Sequence, residues 1–355
     1  MVILVGAGGL SACTVRALPE SIRPDGQNAP VRRLRTGATF HGFWNYDSED
    51  EMLFALRTLR NAGGRWARID MGWAAIETAR GEYSDWALGK YDAAIDAARS
   101  EDLSVVLVLQ RTPTWANGSD DESLAPRDPA SFGDFALAMS QRYAGRIAGI
   151  ETWNEPNQPA FFTARTAGEE AREHAAMVKD AYTKIKERGP QGDASPLVFA
   201  GGTSRVDVEW WEQMYALGIA GFSDVVAVNP YPVPPNAAIT DGSRGPSPLQ
   251  RLNELIAVMR REDDADRPIW FTEFGWPTGR SDEASRSGLT GDEQADRFEE
   301  AVRRVEDDYP QVEVAIWYNL RDRDDGGHAS QFGLLDRNLK PKPVLDRMEQ
   351  LFVGR

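Results

Sequence analysis

The sequence is poor in cysteine and histidine. Its 355 residues include one cysteine, Cys13, and three histidines. A single cysteine excludes an intramolecular disulfide. His41, His174 and His328 lie far apart in the chain and show neither HExxH nor CxxC spacing. A histidine-based metal site is therefore not expected, and we predict that the protein uses neither a metal nor another cofactor.

Positive charge is also scarce. There are 40 basic residues against 55 acidic ones, which gives a formal net charge of −15. Nucleic acid and anionic membranes would repel such a chain at long range, whereas a neutral sugar would not. The composition therefore argues against nucleic acid as a partner and leaves a carbohydrate partner open.

The amino terminus contains a short apolar run, residues 1–10, that is too short to span a bilayer and lacks the basic start of a signal peptide. Leu10-Ser11-Ala12-Cys13 is similar to a bacterial lipobox. Two interpretations stay open. Residues 1–34 are either a truncated lipoprotein signal followed by a linker, with a lipid anchor at Cys13 and an extracellular or cell-surface location, or an apolar tail without that role, which leaves a cytoplasmic location open.

From Arg35 onward, short apolar strand patterns alternate eight times with longer helical ones. The predicted strands are Gly37–His41, Trp66–Met71, Ser104–Leu109, Gly149–Trp153, Leu197–Gly201, Asp224–Asn229, Ile269–Glu273 and Val314–Asn319. Strict βα alternation predicts an α/β fold, a single (β/α)8 TIM barrel over residues 35–355. The alternative, an open doubly wound sheet, is disfavoured because no glycine-rich phosphate loop follows the first strand.

The segments that follow predicted strands are long and rich in Pro, Gly, Asp and Asn. Examples are Arg111–Arg127, Tyr231–Ser247 and Arg321–Phe332. In a barrel these loops all rise from the carboxyl-end face, where active sites are built. We therefore expect a cleft on that face.

The fourth predicted strand ends in Ile150-Glu151-Thr152-Trp153-Asn154-Glu155-Pro156-Asn157. Two carboxylates and an amide are unexpected in a buried strand, because burying such groups unpaired costs several kcal/mol. Strand alternation predicts that Glu151, Trp153 and Glu155 share one face. Pro156 ends the strand because it has no N–H group. Glu155 is then expected at the rim of the barrel.

The seventh predicted strand ends in Ile269-Trp270-Phe271-Thr272-Glu273-Phe274-Gly275-Trp276 and delivers a second carboxylate, Glu273. Strands four and seven lie nearly opposite each other across a barrel mouth, so Glu155 and Glu273 can face one another. Two opposed carboxylates are what glycosidic cleavage needs, one as proton donor and one as nucleophile. A separation of about 5–5.5 Å, which we expect here, leads to retention of configuration.

The pair Trp153-Asn154-Glu155-Pro156 and Thr272-Glu273-Phe274-Gly275-Trp276 resembles glycoside hydrolase clan A, and more narrowly families thirty-nine and five. The resemblance covers about residues 35 to 350. Weaker similarities are Arg68-Ile69-Asp70, Thr112-Pro113-Thr114-Trp115, Asn229-Pro230-Tyr231-Pro232, Trp317-Tyr318-Asn319 and Phe332-Gly333-Leu334-Leu335.

The resemblance implies a role for each matching residue. Glu155 would be the acid/base, and Glu273 would be the nucleophile. Asn154 would bind the 2-hydroxyl group of the sugar, while Arg68 and Tyr231 would hold Glu273.

The resemblance also implies that Trp317 forms the floor under the sugar. Trp276, at another strand tip, is predicted to stack on a sugar as well. His41 is predicted to bind a sugar hydroxyl, with capping of the barrel as the alternative. For Trp44 and Trp115, a place in the core and a place in the sugar site stay equally open.

Three further features are interpreted from the residues. Glu151, deeper in the barrel, is predicted to be a structural, hydrogen-bonded carboxylate. Asn229 departs from the resemblance, because many clan members carry His two residues before the strand-six Tyr. The acidic loop with Asp322, Asp324 and Asp325 is predicted to be a solvated turn rather than a calcium site.

The sequence therefore predicts a retaining glycoside hydrolase that acts on β-linked glycosides or polysaccharides. The alternative is a catalytically silent barrel that binds carbohydrate. An aldolase is disfavoured because no lysine stands at a predicted strand end, and an amidohydrolase because a histidine-rich metal site is missing. Endo-action and exo-action both stay open, as do the sugar and the oligomeric state.

Overall fold

The protein is described by a computed structural model that covers residues 33–279, 288–323 and 328–354. The predicted (β/α)8 barrel is confirmed. Its strands are β1 Arg35–Thr39, β2 Trp66–Gly72, β3 Ser104–Gln110, β4 Gly149–Thr152, β5 Leu197–Phe199, β6 Val226–Asn229, β7 Ile269–Phe274 and β8 Val312–Trp317. Its helices are α1 Glu49–Asn61, α2 Asp85–Ser100, α3 Pro129–Arg142, α4 Glu170–Arg188, α5 Val208–Ala216, α6 Pro248–Arg261, α7 Gly291–Asp308 and α8 Pro343–Phe352.

Shorter elements lie in the connections between the barrel strands and helices. They are the helical turns Trp73–Ile76 and Thr114–Asn117, the 3-10 turns Gly42–Trp44, Gly192–Ala194, Ala220–Phe222 and His328–Gln331, a hairpin of Glu77–Ala79 with Glu82–Tyr83, and the strand segment Thr203–Ser204. Most follow a barrel strand. The carboxyl-end face is therefore the elaborated one.

The barrel sheet is parallel throughout. Its order is β5, β4, β3, β2, β1, β8, β7, β6 and then Thr203–Ser204, a continuation of the chain beyond β5. That segment pairs with β6, while Gly202 just before it bridges to Asn154 after β4. The chain that follows β5 therefore joins both ends of the sheet and closes the ring.

The helices begin where the sequence offers capping groups. Ser247 and Gln250 form a reciprocal capping box at the start of α6, and Thr290 with Glu293 does the same at α7. Each box satisfies backbone N–H groups that lack partners in the first turn of a helix. Each of these helices then buries one apolar face against the sheet, which secures it more than its intrinsic propensity does.

Strand alternation sorts the buried side chains into two layers. The layer inside the barrel is centred on Trp270, whose ring lies 4.6 Å from that of Trp66 and 4.8 Å from that of Phe199. The members of this inner layer are Trp66, Val106, Leu197, Phe199, Val225, Ala227, Trp270, Val314 and Ile316. The intervening strand residues pack outward against the helices. A residue's position in this alternation decides whether it can reach the barrel mouth.

Four strands differ by two residues from their predicted bounds. β5 ends at Phe199 rather than at Gly201, and β6 begins at Val226 rather than at Asp224. β1 begins and ends two residues earlier than the predicted Gly37–His41, and β8 does the same relative to Val314–Asn319. The earlier starts bring in Arg35 and Glu313, which form an ion pair 3.0 Å apart at the amino-end rim. Pairing allows these charged residues to belong to otherwise apolar strands.

Several sequence-based predictions lie outside the described residues. These are the amino-terminal segment with the possible lipid anchor at Cys13, and the loop residues Asp324 and Asp325. Within the described ranges, no helix is both long and apolar enough to cross a membrane.

Gly37 on β1 marks a close approach between strands. A Cβ atom at this position would lie 2.2 Å from the carbonyl oxygen of Trp66 and 2.5 Å from its Cβ atom. Both contacts are with rigid neighbours inside a closed barrel, so they cannot be relieved by rotating a side chain. The site requires glycine.

Gly37→Ala is expected to lower the free energy of unfolding by roughly 1–3 kcal/mol, the usual cost of overpacking. The matched control is Gly89→Ala on α2, where a Cβ atom meets nothing within 4 Å. This control should stabilise the protein by up to about 1 kcal/mol through helix propensity. Urea denaturation followed by circular dichroism measures both, and equal stabilities of the two variants would contradict the described packing.

Candidate active site

The β4 motif leaves the strand geometry before it reaches the catalytic candidates. β4 ends at Thr152, and the next residues adopt left-handed backbone conformations, with φ of 82° at Trp153 and 44° at Glu155. The prediction that Glu151, Trp153 and Glu155 share one face is wrong for Trp153, which is buried in the outer layer against Phe162. The positive φ angles break the alternation.

Arg68 on β2 is the centre of the site. Its side chain is fully buried and donates hydrogen bonds to three acceptors, one on β4, one just after β4 and one on β7. Nε donates to Glu151 at 2.7 Å and Nη1 donates to Glu273 at 2.6 Å. Nη2 donates to Asn154 Oδ1 at 2.7 Å. A planar guanidinium group suits such a divided arrangement because its donors point in fixed directions.

Glu151 completes the buried part of this network. Its Oε2 atom faces Arg68, and its Oε1 atom accepts a hydrogen bond from the backbone N–H of Gly202 at 2.8 Å. The side chain is fully buried. The prediction of a structural, hydrogen-bonded carboxylate is confirmed.

Glu273 comes from β7 at a register irregularity between Phe271 and Phe274. The irregularity turns the carboxylate into the mouth of the barrel, where it accepts two hydrogen bonds. One comes from Arg68, and the other comes from the Tyr231 hydroxyl at 3.0 Å. The contacts expected from Arg68 and Tyr231 are therefore present.

Glu155 has a different set of neighbours. Asn229 Nδ2 donates to Glu155 Oε1 at 3.1 Å, and Asn229 Oδ1 in turn accepts from Thr272 Oγ1 at 2.9 Å. The Ser204 hydroxyl also donates to Glu155. All of these donors are uncharged. Asn229, where the resemblance led us to look for histidine, thus contacts the acid/base candidate directly.

Burial raises the pKa values of both carboxyl groups. For Glu155 the neutral donors and the Arg68 charge only partly oppose this effect. For Glu273 the Arg68 charge opposes burial, while the nearby charge of Glu155 reinforces it. Burial therefore disfavours two negative charges on these interacting carboxyls. Hydrogen bonds to charged groups are worth about 1.5–3 kcal/mol, roughly twice the value of neutral ones, so the contacts from Arg68 and Tyr231 favour negative charge on Glu273.

Both carboxyls open onto one cavity of about 490 Å³ at the carboxyl ends of the strands. Its lining is formed by His41, Asp70, Gln110, Arg111, Asn154, Glu155, Phe161, Ser204, Tyr231, Pro232, Pro235, Glu273, Tyr318, Arg323 and Phe332. A second cavity of about 410 Å³ shares Ser204 and Tyr231 with the first and extends over the β5 and β6 loops. Within the part of the chain that the structure describes, these two adjoining cavities form the predicted cleft.

Asn154 lies in the wall of the main cavity and is almost fully buried. Since its Oδ1 atom accepts from Arg68, its NH2 group is the part that can meet a ligand. This orientation suits a donor to a sugar hydroxyl.

The stacking surfaces predicted for Trp317 and Trp276 are not found. Their side chains are 0% and 1% exposed, and neither lines the cavity. Trp317 follows Ile316 of the inner layer, so alternation points it outward, where it packs on Phe298 of α7. The next residue, Tyr318, points into the mouth instead and lines the cavity.

His41 does lie in the cavity wall, as expected. Its Nδ1 atom is 2.9 Å from Asp70 Oδ2, and its ring meets that of Tyr318 edge-on at 5.7 Å. Burial would raise the pKa of Asp70, but the hydrogen bond and charge of His41, with the charges of Arg68 and Arg323, lower it overall. Asp70 thus stays ionised and holds the imidazole in place.

Sequence reasoning missed several residues of the wall, namely Asp70, Gln110, Arg111, Tyr318 and Arg323. A signal existed for three of them. Each stands two residues after a buried strand residue whose side chain points into the barrel. Asp70 follows Arg68 in this way, Gln110 follows Val108, and Tyr318 follows Ile316. Arg111 and Arg323 follow strand ends in long loops, where no periodicity applies.

The other residues singled out from the sequence differ in their burial and contacts. Trp115 is half-buried, and its indole donates to the Glu77 carbonyl at 2.9 Å, so it belongs to the core. Trp44 is 63% exposed. Asp322 is buried and accepts from Gly333 N at 2.6 Å beside Lys342, which is not the predicted solvated turn. Among the described residues, no cluster of three or more His, Cys, Asp or Glu side chains could hold a metal ion.

The sequence model of Cellulase (glycosyl hydrolase family 5) matches residues 24–241. This chain belongs to glycosyl hydrolase family 5. The match includes β4 and Glu155 but ends before β7, so the place of Glu273 rests on the geometry above. No curated protein matches the chain in sequence.

Solved structures of clan A glycoside hydrolases share the fold. A family 39 glycoside hydrolase from Bacteroides cellulosilyticus WH2 superposes with a TM-score of 0.68 at 20% identity, over 90% of this chain and 64% of that one. A family 5, subfamily 18 protein from Bifidobacterium longum subsp. infantis gives 0.65 at 14% identity, over 91% and 79%. An exo-β-1,4-mannosidase from Opitutaceae bacterium strain TAV5 gives 0.64 at 18% identity, over 96% and 62%. The chain thus spans less than two thirds of the first and third of these proteins.

Tyr231→Phe should move the acidic limb of the kcat/KM–pH profile to higher pH. Burial and the Glu273 charge raise the pKa of Tyr231, so the phenol stays protonated and donates. Its hydrogen bond favours the ionised form of Glu273, and removing it must raise the pKa of that carboxyl. A loss of about ten- to a hundredfold in rate corresponds to one hydrogen bond to a charged group.

The profile is measured on a chromogenic aryl β-glycoside. Tyr215→Phe is the matched control, because that hydroxyl donates to Asp264 at 2.7 Å, away from the cavity. If the acidic limb and the rate were unchanged in both variants, Tyr231 would have no role in the site.

Proposed function

We propose that the protein is a retaining β-glycosidase in which Glu155 is the acid/base and Glu273 the nucleophile. The observation that carries the proposal is the asymmetry of two carboxyls facing one cavity. Glu273 accepts from a cation and a phenol, whereas Glu155 accepts from neutral groups only. One carboxyl is thus prepared to attack and the other to donate a proton, as double displacement requires.

In the first step, Glu155 gives its proton to the glycosidic oxygen while a Glu273 oxygen bonds to the anomeric carbon. The bond between that carbon and the leaving oxygen breaks, and a glycosyl ester forms on Glu273. Arg68 remains bound to Glu151 as this charge is consumed, so the buried cation keeps a counter-ion. The Asn154 NH2 group is placed to donate to the 2-hydroxyl of the same sugar.

In the second step, Glu155 is ionised and accepts a proton from water. The oxygen of that water attacks the anomeric carbon, the ester bond breaks, and the Glu273 carboxylate returns to its hydrogen bonds. Each face of the sugar is attacked once. The product therefore keeps the configuration of the substrate.

The substrate class is a β-linked glycoside or polysaccharide. Family membership and the mannosidase and family 39 neighbours support a carbohydrate substrate. The cavity is lined by amide, carboxylate, hydroxyl, aromatic and guanidinium groups, which can hydrogen-bond and pack against a sugar.

Replacing the two glutamates should have different consequences. Glu273→Ala is expected to abolish turnover of every substrate. Glu155→Ala should lose about 10²–10⁴-fold on poor leaving groups, the usual contribution of general acid catalysis, and much less in the first step on activated aryl glycosides. Added azide should rescue Glu155→Ala and give a β-glycosyl azide.

The measurement is steady-state kinetics with the azide product identified by NMR. Glu187→Ala, at an exposed position on α4, is the matched control and should behave like the wild type with and without azide. A β-azide from Glu273→Ala would reverse the two roles. Sugar binding without turnover by the intact protein would favour the alternative, a silent carbohydrate-binding barrel.

A further inference from the structure

A buried histidine on α4 lies behind the segment that carries Glu155. His174 is fully buried, and its Nε2 atom is 2.7 Å from the carbonyl oxygen of Thr152. Its Nδ1 atom is also buried and has no hydrogen-bond partner among the described residues. A carbonyl oxygen can only accept, so the proton is on Nε2 and Nδ1 carries none. Burial lowers the pKa of His174 to about 4, although the hydrogen bond with Thr152 opposes this, and the ring therefore stays neutral.

The surroundings of His174 are aromatic. Its ring centroid is 5.9 Å from that of Phe162 and 5.9 Å from that of Trp210. An apolar side chain would fill this space without the cost of burying a polar ring. What the histidine adds is a donor to the Thr152 carbonyl. That carbonyl is also closely enclosed, because a Cβ atom at Gly201 would lie 2.9 Å from its oxygen.

The Thr152 carbonyl belongs to the peptide group at which β4 ends. The carbonyl accepts from His174, and the N–H of the same peptide group, on Trp153, donates to the carbonyl of Leu109 at 2.9 Å. The chain then takes left-handed conformations, with φ of 82° at Trp153 and 44° at Glu155. Such conformations are unfavourable for residues other than glycine, so surrounding contacts must hold them. A peptide group that is held at both ends fixes the direction in which the chain leaves the strand.

We propose that His174 is a positioning residue for the acid/base, because its hydrogen bond to Thr152 fixes the turn through which Glu155 reaches the bond to be cleaved. This inference rests on the proposed function and adds to it a residue that does not line the main cavity. A general acid must lie within hydrogen-bond reach of the leaving oxygen. A misplacement of about 1 Å can cost roughly a hundredfold in rate, so loss of the donor should be visible in proton donation.

His174→Gln and His174→Met are a matched pair of variants. Their side chains are similar in length and shape, but only the glutamine can donate to Thr152. The test is kcat/KM on aryl β-glucosides and aryl β-mannosides that differ in the acidity of the phenol. His174→Met should lose at least about tenfold more on phenyl glycosides, which need the proton, than on dinitrophenyl glycosides, which do not. His174→Gln should remain close to the wild type on both. Equal losses on the two kinds of substrate, or equal behaviour of the two variants, would overturn the proposal.

Glu155→Ala, assayed on the same substrates, separates this proposal from the proposed function. It should depend on the leaving group more strongly than His174→Met does. If Glu155→Ala shows this dependence and His174→Met does not, the positioning role of His174 is overturned and the acid/base assignment stands. If neither variant shows it, both are overturned.

A measurement on the wild-type protein keeps the proposal testable even if His174→Met fails to fold. Heteronuclear NMR of the histidine rings reports which nitrogen is protonated, and the signals of His174 are identified by their loss in His174→Gln. The expected form is the neutral ring with its proton on Nε2. A proton on Nδ1 alone would overturn the proposal, because that tautomer cannot donate to Thr152.

Discussion

The buried charge of Arg68 constrains the rest of the site. An isolated guanidinium group cannot be buried without a prohibitive loss of hydration, so its counter-charges must be buried with it. Burial alone would lower the pKa of Arg68, but Glu151 and Glu273 outweigh it and keep the group charged. Three strands are thereby tied together, because Glu151 belongs to β4 and Glu273 to β7.

In the proposed mechanism, the arrangement also gives a role to a third carboxylate, Glu151. If Glu273 were the sole partner of Arg68, forming a glycosyl ester on it would leave the buried cation without a counter-ion. Glu151, held by Gly202 N–H as well, supplies a permanent negative charge. Removing one partner of a buried pair typically costs 3–5 kcal/mol, so the reaction becomes feasible when a second partner remains.

The fold could be predicted from the sequence because it follows periodic rules, and the two glutamates could be singled out because each comes at the end of an apolar strand pattern. Eight alternating βα units define the barrel, and apolar strands that end in carboxylates indicate where the chemistry lies. The same alternation, continued from Val314 and Ile316, points to Tyr318 rather than to Trp317, which was assigned from the family resemblance.

Other features could not be predicted from periodicity. The left-handed conformations of Trp153 and Glu155 redirect side chains that alternation places elsewhere. Asn229 contacts Glu155, which lies 74 positions earlier in the sequence, and this contact could not be inferred from neighbouring residues. Such features arise from tertiary packing, which local patterns do not encode.

The central claim is that Glu273 becomes covalently bonded to the sugar while Glu155 does not. It is tested most directly by incubating the protein with 2-deoxy-2-fluoro-β-glycosyl fluorides of glucose and mannose, which slow release of the glycosyl ester, and mapping the label by peptide mass spectrometry. The account predicts one fluorosugar per chain, attached to Glu273. A label on Glu155 would contradict the assignment. Hydrolysis of aryl β-glucosides or aryl β-mannosides with inversion of configuration would contradict the mechanism.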